Sequence, residues 1–138
     1  MSKALVDTDF LSEYFGRSHN LYSKKALEYL DFLFGTESVA VCGHVYQEIL
    51  YGIRAGHVGR FLKIRNKLSP YVIIPTRKEY DLAIEISRKL TTSGIQMSIA
   101  DIMNCSISIS KGWTILAVDK DYENAEKVEK RIILNLFK

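Results

Sequence analysis

Two short apolar runs in this chain end in the same pattern of acids. Ala4-Leu5-Val6 is followed by Asp7-Thr8-Asp9, and the run from Ile115 to Val118 is followed by Asp119-Lys120-Asp121. An aspartate after a strand commonly caps the next helix or makes a turn, and Asp9 and Asp121 read most simply as such caps. Asp7 and Asp119 are then the pair left for chemistry. Two further acids sit on helical patterns. Glu48 flanks the stripe of Val45, Tyr46, Ile49, Leu50 and Ile53, one turn from Gly52; it is either a solvated helix glutamate or a member of a site. Asp101 belongs to a segment in which Ile99, Ile102, Met103, Cys105, Ile107 and Ile109 cover most of the circumference, with Asp101, Asn104 and Ser108 on the remaining strip. A carboxylate on so buried a helix needs a partner, unless Ser98-Ile99-Ala100-Asp101 is simply a capping box.

A sheet that gathers Asp7, Glu48, Asp101 and Asp119 at one edge brings four anions into a low-dielectric cleft, where they repel. A divalent cation is the natural remedy. All-oxygen ligation selects Mg²⁺ or Mn²⁺ over zinc. Zinc is further disfavoured because His19, His44, His57 and the two cysteines show no ligand spacing.

The elements that must position these acids are legible in the hydrophobic patterning. Ala4 to Val6, Val39 to Val41, Val72 to Ile74, Ile115 to Val118 and Ile132 to Leu134 are continuous apolar runs, the pattern of strands buried on both faces of a parallel sheet. Helical patterns fall between them, at about 8–15, 21–34, 44–54, 57–68, 77–92, 99–111 and 122–128. Gly35-Thr36, Ser69-Pro70, Pro75 and Gly112 punctuate the same division. The alternation predicts an α/β fold: a mostly parallel sheet of about five strands with helices on both faces. Ligands of such sheets bind beyond the carboxyl ends of the strands, which is where Asp7 and Asp119 fall.

Bulk composition bounds the rest. The 138 residues suit one domain, and 47% hydrophobic content with two prolines excludes disorder and linker-rich architecture. No apolar run approaches a membrane span, and Asp7 and Asp9 interrupt any secretion signal, so a cytoplasmic, membrane-free protein is expected. Cys42 and Cys105 sit apart in apolar stretches and read as reduced core thiols. A net charge of +3 permits a nucleic-acid partner without arguing for one. Arg60, Lys63 and Lys67 share a helix face beside Arg54 and Lys24-Lys25, while Arg17 and Lys120 lie nearer the acids. These are the basic residues placed to hold phosphates, if they are not merely solvated. The segment from Leu21 to Phe34 is too apolar for a single buried face, and an exposed remainder would serve as an interface.

Four segments together resemble a known family. Leu5-Val6-Asp7-Thr8-Asp9-Phe10-Leu11-Ser12 resembles the N-terminal motif of PIN-domain ribonucleases. Glu48-Ile49-Leu50-Tyr51-Gly52-Ile53 is similar to the central acidic motif of VapC-type toxins from toxin–antitoxin pairs. The stretch from Gly94 to Asp101 matches the third motif, and Leu116-Ala117-Val118-Asp119-Lys120-Asp121-Tyr122 the last. The match departs at Ala117, where the family usually has Thr or Ser, and at Tyr122, where it usually has Phe. Asn104 and Cys105 also fall where small apolar residues are common.

The resemblance implies a PIN-like fold over the whole chain and an acidic quartet of Asp7, Glu48, Asp101 and Asp119. Asp7, Asp101 and Asp119 would lie nearest a Mg²⁺ or Mn²⁺ ion, with Glu48 acting through water or as a base. Asp121 becomes an auxiliary ligand and Thr8 orients Asp7. The implied activity is hydrolysis of RNA phosphodiesters, leaving a 5′-phosphate and a 3′-hydroxyl. The implied partners are an RNA substrate, a cognate antitoxin and a second copy of the chain. Two other readings remain at this stage: a catalytically inactive PIN-like module that binds RNA or protein, and a phosphotransfer domain built on Asp7-Thr8-Asp9.

Overall fold

The computed structural model describes residues 2–16 and 21–136. Among these, β1 (Ala4–Val6), β2 (Val39–Cys42), β3 (Val72–Ile73), β4 (Thr114–Ala117) and β5 (Ile133–Leu136) form one sheet in the order β3-β2-β1-β4-β5. Every pairing is parallel, so the expected mostly parallel sheet is parallel throughout. The crossovers are α1 (Thr8–Phe15) and α2 (Leu21–Gly35), then α3 (Gly43–Tyr51) and α4 (Val58–Leu68), then α5 (Arg77–Thr92) and α6 (Ile99–Lys111), and finally α7 (Asp121–Val128). A short 3₁₀ turn, Ser69–Tyr71, leads from α4 into β3.

The chain leaves β1 for β2 and β3 on one side, then returns to place β4 on the other. Right-handed crossovers put α1 to α4 on one face and α5 to α7 on the opposite face. The observed packing of α1 on α2 and α3, and of α5 on α6 and α7, agrees with that division. The switch in direction falls between β1 and β4, whose carboxyl ends open a crevice.

Strand residues in β1, β2 and most of β4 are fully buried, as continuous apolar runs require. Helix α6 is the most deeply buried, with every residue from Ile102 to Ser108 inaccessible. Its first residue departs from the expected apolar wrap: Ile99 is 87% exposed. Helix α2 sends Ala26, Leu30, Leu33 and Phe34 into the core and leaves Phe32 exposed, so most of its apolar surplus is packing. Helix α3 ends at Tyr51 rather than residue 54: the Gly52 N–H still reaches the Glu48 carbonyl, but the Ile53 N–H bonds the Leu50 carbonyl three residues back and the ladder stops. Cys42 and Cys105 are free and buried.

Two serines and a capping box fix α6 in place. Thr76 and Glu79 cap α5 reciprocally, and Ser106 Oγ donates to the Glu79 carbonyl at 2.6 Å. Ser108 Oγ donates to the Trp113 carbonyl at 2.7 Å and accepts from Ile133 N at 3.2 Å, tying α6 to both β4 and β5. Gly112 then ends α6 with φ 70°, and its N–H reaches the Ser108 carbonyl. A side chain at that left-handed position is strained, so Gly112→Ala should cost about 1 kcal/mol of stability. The urea unfolding midpoint measures it.

Candidate functional site

Asp7 follows β1 directly, and its N–H extends the β1–β4 ladder by one rung to the Leu116 carbonyl at 3.0 Å. The carboxylate is buried. Asn104 Nδ2 donates to Asp7 Oδ1 at 3.0 Å, the Tyr122 hydroxyl lies 2.9 Å from the same oxygen, and the Thr8 backbone N–H supplies a further donor. Burial, then the Asp101 charge, pushes the Asp7 carboxyl up to about 7, with Asp9 adding to the rise; the Tyr122 and Thr8 bonds oppose it. Thr8 meets the Asp7 carboxylate through its main chain.

Asp101, on the first turn of α6, faces the same crevice. Ser98 Oγ accepts the Asp101 N–H at 3.1 Å, which is the first half of a capping box. The second half is missing, because the Asp101 carboxylate turns to Tyr122, whose hydroxyl is 3.0 Å from Oδ1. Both readings of Asp101 hold in part: its main chain is capped and its side chain is in the crevice.

After β4 both acids face the crevice, so Asp119 keeps its expected place and Asp121 joins it. Asp119 Oδ1 also accepts the Asp121 N–H at 2.8 Å, a turn that satisfies the first N–H of α7. Asp121, expected as the cap, carries its carboxylate exposed on the first turn of α7. Oxygens of Asp101, Asp119 and Asp121 lie within 4.8 Å of one another. The Asp121 carboxyl is raised above its ordinary range by Asp119 first, then by burial and Asp101.

Asp9 is the other expected cap that proves to face the acids. It is exposed on the first turn of α1, and its carboxyl is raised by partial burial, then by Asp119, Asp101 and Glu48. Glu48 is exposed on α3 and lies outside the three-carboxylate group. Its charge reaches Asp9 and His44, which places it at the rim. His44 is lowered by burial, against the pull of Glu48 and Asp101. Its Nε2 is buried without a partner among the described residues.

The basic residues divide. Arg60 Nη2 donates to the Phe15 carbonyl at 2.8 Å, so its guanidinium closes the end of α1. Lys67 stacks over Phe34 and Tyr14, with its Nζ 4.6 Å and 5.5 Å from the ring centroids. Lys63 is exposed on α4, and Lys120 is exposed between Asp119 and Asp121. Arg17 and His19 lie outside the described residues.

Sequence reasoning placed Asp7, Asp101 and Asp119 at this crevice. It assigned no role to Tyr122, and it left Asn104 as one polar residue on a strip. The signal available was the polar strip itself, since a buried amide without a donor or acceptor opposite is costly.

A parallel α/β sheet with carboxylates converging at its switch point defines a class of protein able to hold a divalent cation there. Residues 4–128 match the PIN domain family, and the chain belongs to that family. No curated protein matches it. Among solved structures, it is similar to a chain of VapBC2 from Rickettsia felis bound to a promoter DNA fragment (TM-score 0.77, 14% identity, 98% of each chain covered). It is also similar to a chain of FitAcB from Neisseria gonorrhoeae (TM-score 0.75, 15% identity, 95% of each) and of DNA-bound VapBC from Salmonella typhimurium (TM-score 0.74, 14% identity, 100% of each). At these identities the likeness is one of fold. No helix among the described residues is long and apolar enough to cross a membrane.

The Asp7 environment has a measurable consequence when cations are chelated. The native protein keeps a proton on Asp7 up to about pH 7, whereas the unfolded chain releases it near 3.8. Stability should therefore fall as pH rises between those values and level off above them. Asp7→Asn should remove that slope, leaving the variant more stable than wild type at about pH 8 and no more stable at about pH 4. Urea unfolding in EDTA across this range reads the difference.

Proposed function

We propose that this protein is a Mg²⁺- or Mn²⁺-dependent endoribonuclease and the toxin of a VapBC-type toxin–antitoxin pair. The observation that carries the reading is the convergence of Asp101, Asp119 and Asp121 at the switch point of a PIN-family sheet. Three carboxylates this close repel one another, and the raised Asp121 carboxyl expresses that repulsion. An all-oxygen donor set of this size fits a hard divalent cation.

Asp101, Asp119 and Asp121 would hold the cation. Asp7, expected from the sequence as a ligand, backs Asp101 through Tyr122. The bound ion supplies Lewis acidity toward the scissile phosphate and the attacking water. Glu48, exposed at the rim and free to meet solvent, accepts the proton released when water attacks phosphorus. The P–O3′ bond breaks and the leaving 3′ oxygen takes a proton from solvent water, giving a 5′-phosphate and a 3′-hydroxyl. Lys120, beside the acids, and Lys63, farther out on α4, are placed to hold the RNA backbone.

Two protein partners complete the reading. Ile74, Tyr80, Ile84 and Ile99 form an exposed apolar strip where α5 meets α6, and a second copy of the chain would cover it. A separate apolar groove runs between α3 and α4, lined by Tyr51, Ile53, Val58, Phe61 and Leu62, and suits an antitoxin segment. An arginine from that segment would be drawn to the acids.

The purified protein should cut single-stranded RNA with Mg²⁺ or Mn²⁺ and stop with EDTA. Asp101→Asn and Asp119→Asn should abolish cutting, and Glu48→Gln should slow it by about 100-fold. Cutting that survives EDTA or Asp101→Asn overturns the reading. In cells, induced wild type should arrest growth and Asp101→Asn should not. Sedimentation should show a dimer that Ile99→Asp separates into monomers; a monomeric wild type overturns that assignment.

A further inference from the structure

The Tyr122 hydroxyl has three polar neighbours and a single hydrogen to give. Asp7 Oδ1 is 2.9 Å away, Asp101 Oδ1 3.0 Å and Asn104 Nδ2 3.0 Å. The side chain is fully buried, so solvent does not compete for the bond. That one hydrogen can serve only one of the two carboxylates at a time. Asn104 turns its amide nitrogen toward Asp7, and its two hydrogens go to Asp7 Oδ1 and Tyr122 Oη. That orientation leaves Asn104 Oδ1 buried without a partner among the described residues. The amide is thus aimed by the acids and the phenol rather than by its own packing. Asp7 already has donors in Asn104 and the Thr8 N–H. Among the described residues, no donor other than Tyr122 reaches the Asp101 carboxylate.

We propose that Tyr122, oriented by Asn104, is a positioning residue that commits its hydrogen to Asp101 and so sets the cation preference of the cleft. This rests on the metal-dependent reading given above. With Oδ1 held by the phenol, Asp101 presents Oδ2 and acts as a one-oxygen ligand. Mg²⁺ and Mn²⁺ favour compact octahedral sites with such ligands, whereas Ca²⁺ takes longer bonds and accepts two oxygens from one carboxylate. An Asp101 released from Tyr122 can rotate to offer both. Tyr122 therefore favours the smaller ions at the expense of Ca²⁺, through Asp101 and without touching the ion.

Tyr122→Phe deletes one oxygen and keeps the buried ring, and its thermal melt checks the fold. Calorimetric titration with Mn²⁺ and with Ca²⁺ should show the Mn²⁺ affinity falling by about tenfold while Ca²⁺ changes by less than about threefold, so that the preference contracts. Asn104→Ala should contract it in the same direction, and the double variant should add little to Tyr122→Phe, because the two residues act in series. An unchanged Mn²⁺ affinity, or an equal loss for both ions, overturns the proposal. A wild type that binds Mn²⁺ but cuts no RNA overturns the nuclease reading alone. One that takes up no Mn²⁺ overturns both.

Discussion

The hydrogen bond from Asp7 N to the Leu116 carbonyl is the last rung between β1 and β4, and the geometry of the crevice depends on it. Parallel pairing sets Val6 opposite Leu116. That register delivers Asp7 and the Asp119 turn to the same edge of the sheet, at the point where the chain reverses its direction of winding. A slip of one residue would turn Asp7 to the other face of β1 and leave α6 no acid to meet. The fully buried side chains of Leu5, Val6, Ile115 and Leu116 on either side hold the register. Hydrophobic burial in the sheet thus fixes where charge collects at its end.

That charge is uneven. Asp7, Asp9, Asp101, Asp119 and Asp121 crowd one crevice with Glu48 at its rim, although the chain carries a net +3. The rest of the surface is correspondingly basic. Burial grades the acids as well. Asp7 is deep and held by neutral donors, Asp101 is intermediate, and Asp121 is exposed. The gradient runs from an acid sealed in the protein to acids open to solvent, so an ion entering from outside meets the exposed carboxylates first.

Much of the fold was legible because the strands are buried on both faces. Continuous runs such as Val39 to Val41 leave little choice but a central parallel strand, and Gly112 marks the end of α6 by the conformation it must adopt. Asp7, Asp101 and Asp119 were legible too, since two follow strands and the third sits on a buried helix. What remained hidden depends on direction rather than type. Asp119 and Asp121 are equivalent in composition, and only the turn between them shows that both carboxylates reach the crevice while one of them also accepts an α7 N–H. Arg60 looks like any helix-surface base until the Phe15 carbonyl is seen within its reach. Tyr122 and Asn104 are 18 residues apart on different helices, and no local pattern announces that they meet at Asp7.

Helix α6 carries Asp101 at its head and is keyed along its length by Ser106, Ser108 and Ser110. Ser106 and Ser110 meet Glu79 at the head of α5, and Ser108 meets the Trp113 carbonyl before β4. To slide or turn α6 would break these bonds where water has little access to replace them. The cleft accordingly has little freedom to reshape itself around what enters. Such rigidity spares the reorganisation that a flexible acidic site would need before a ligand binds, and it shifts the burden of adjustment to whatever enters. For the ribonuclease proposed above, a pliable single strand would bend into the fixed cleft, whereas a stiff duplex would have to be deformed first.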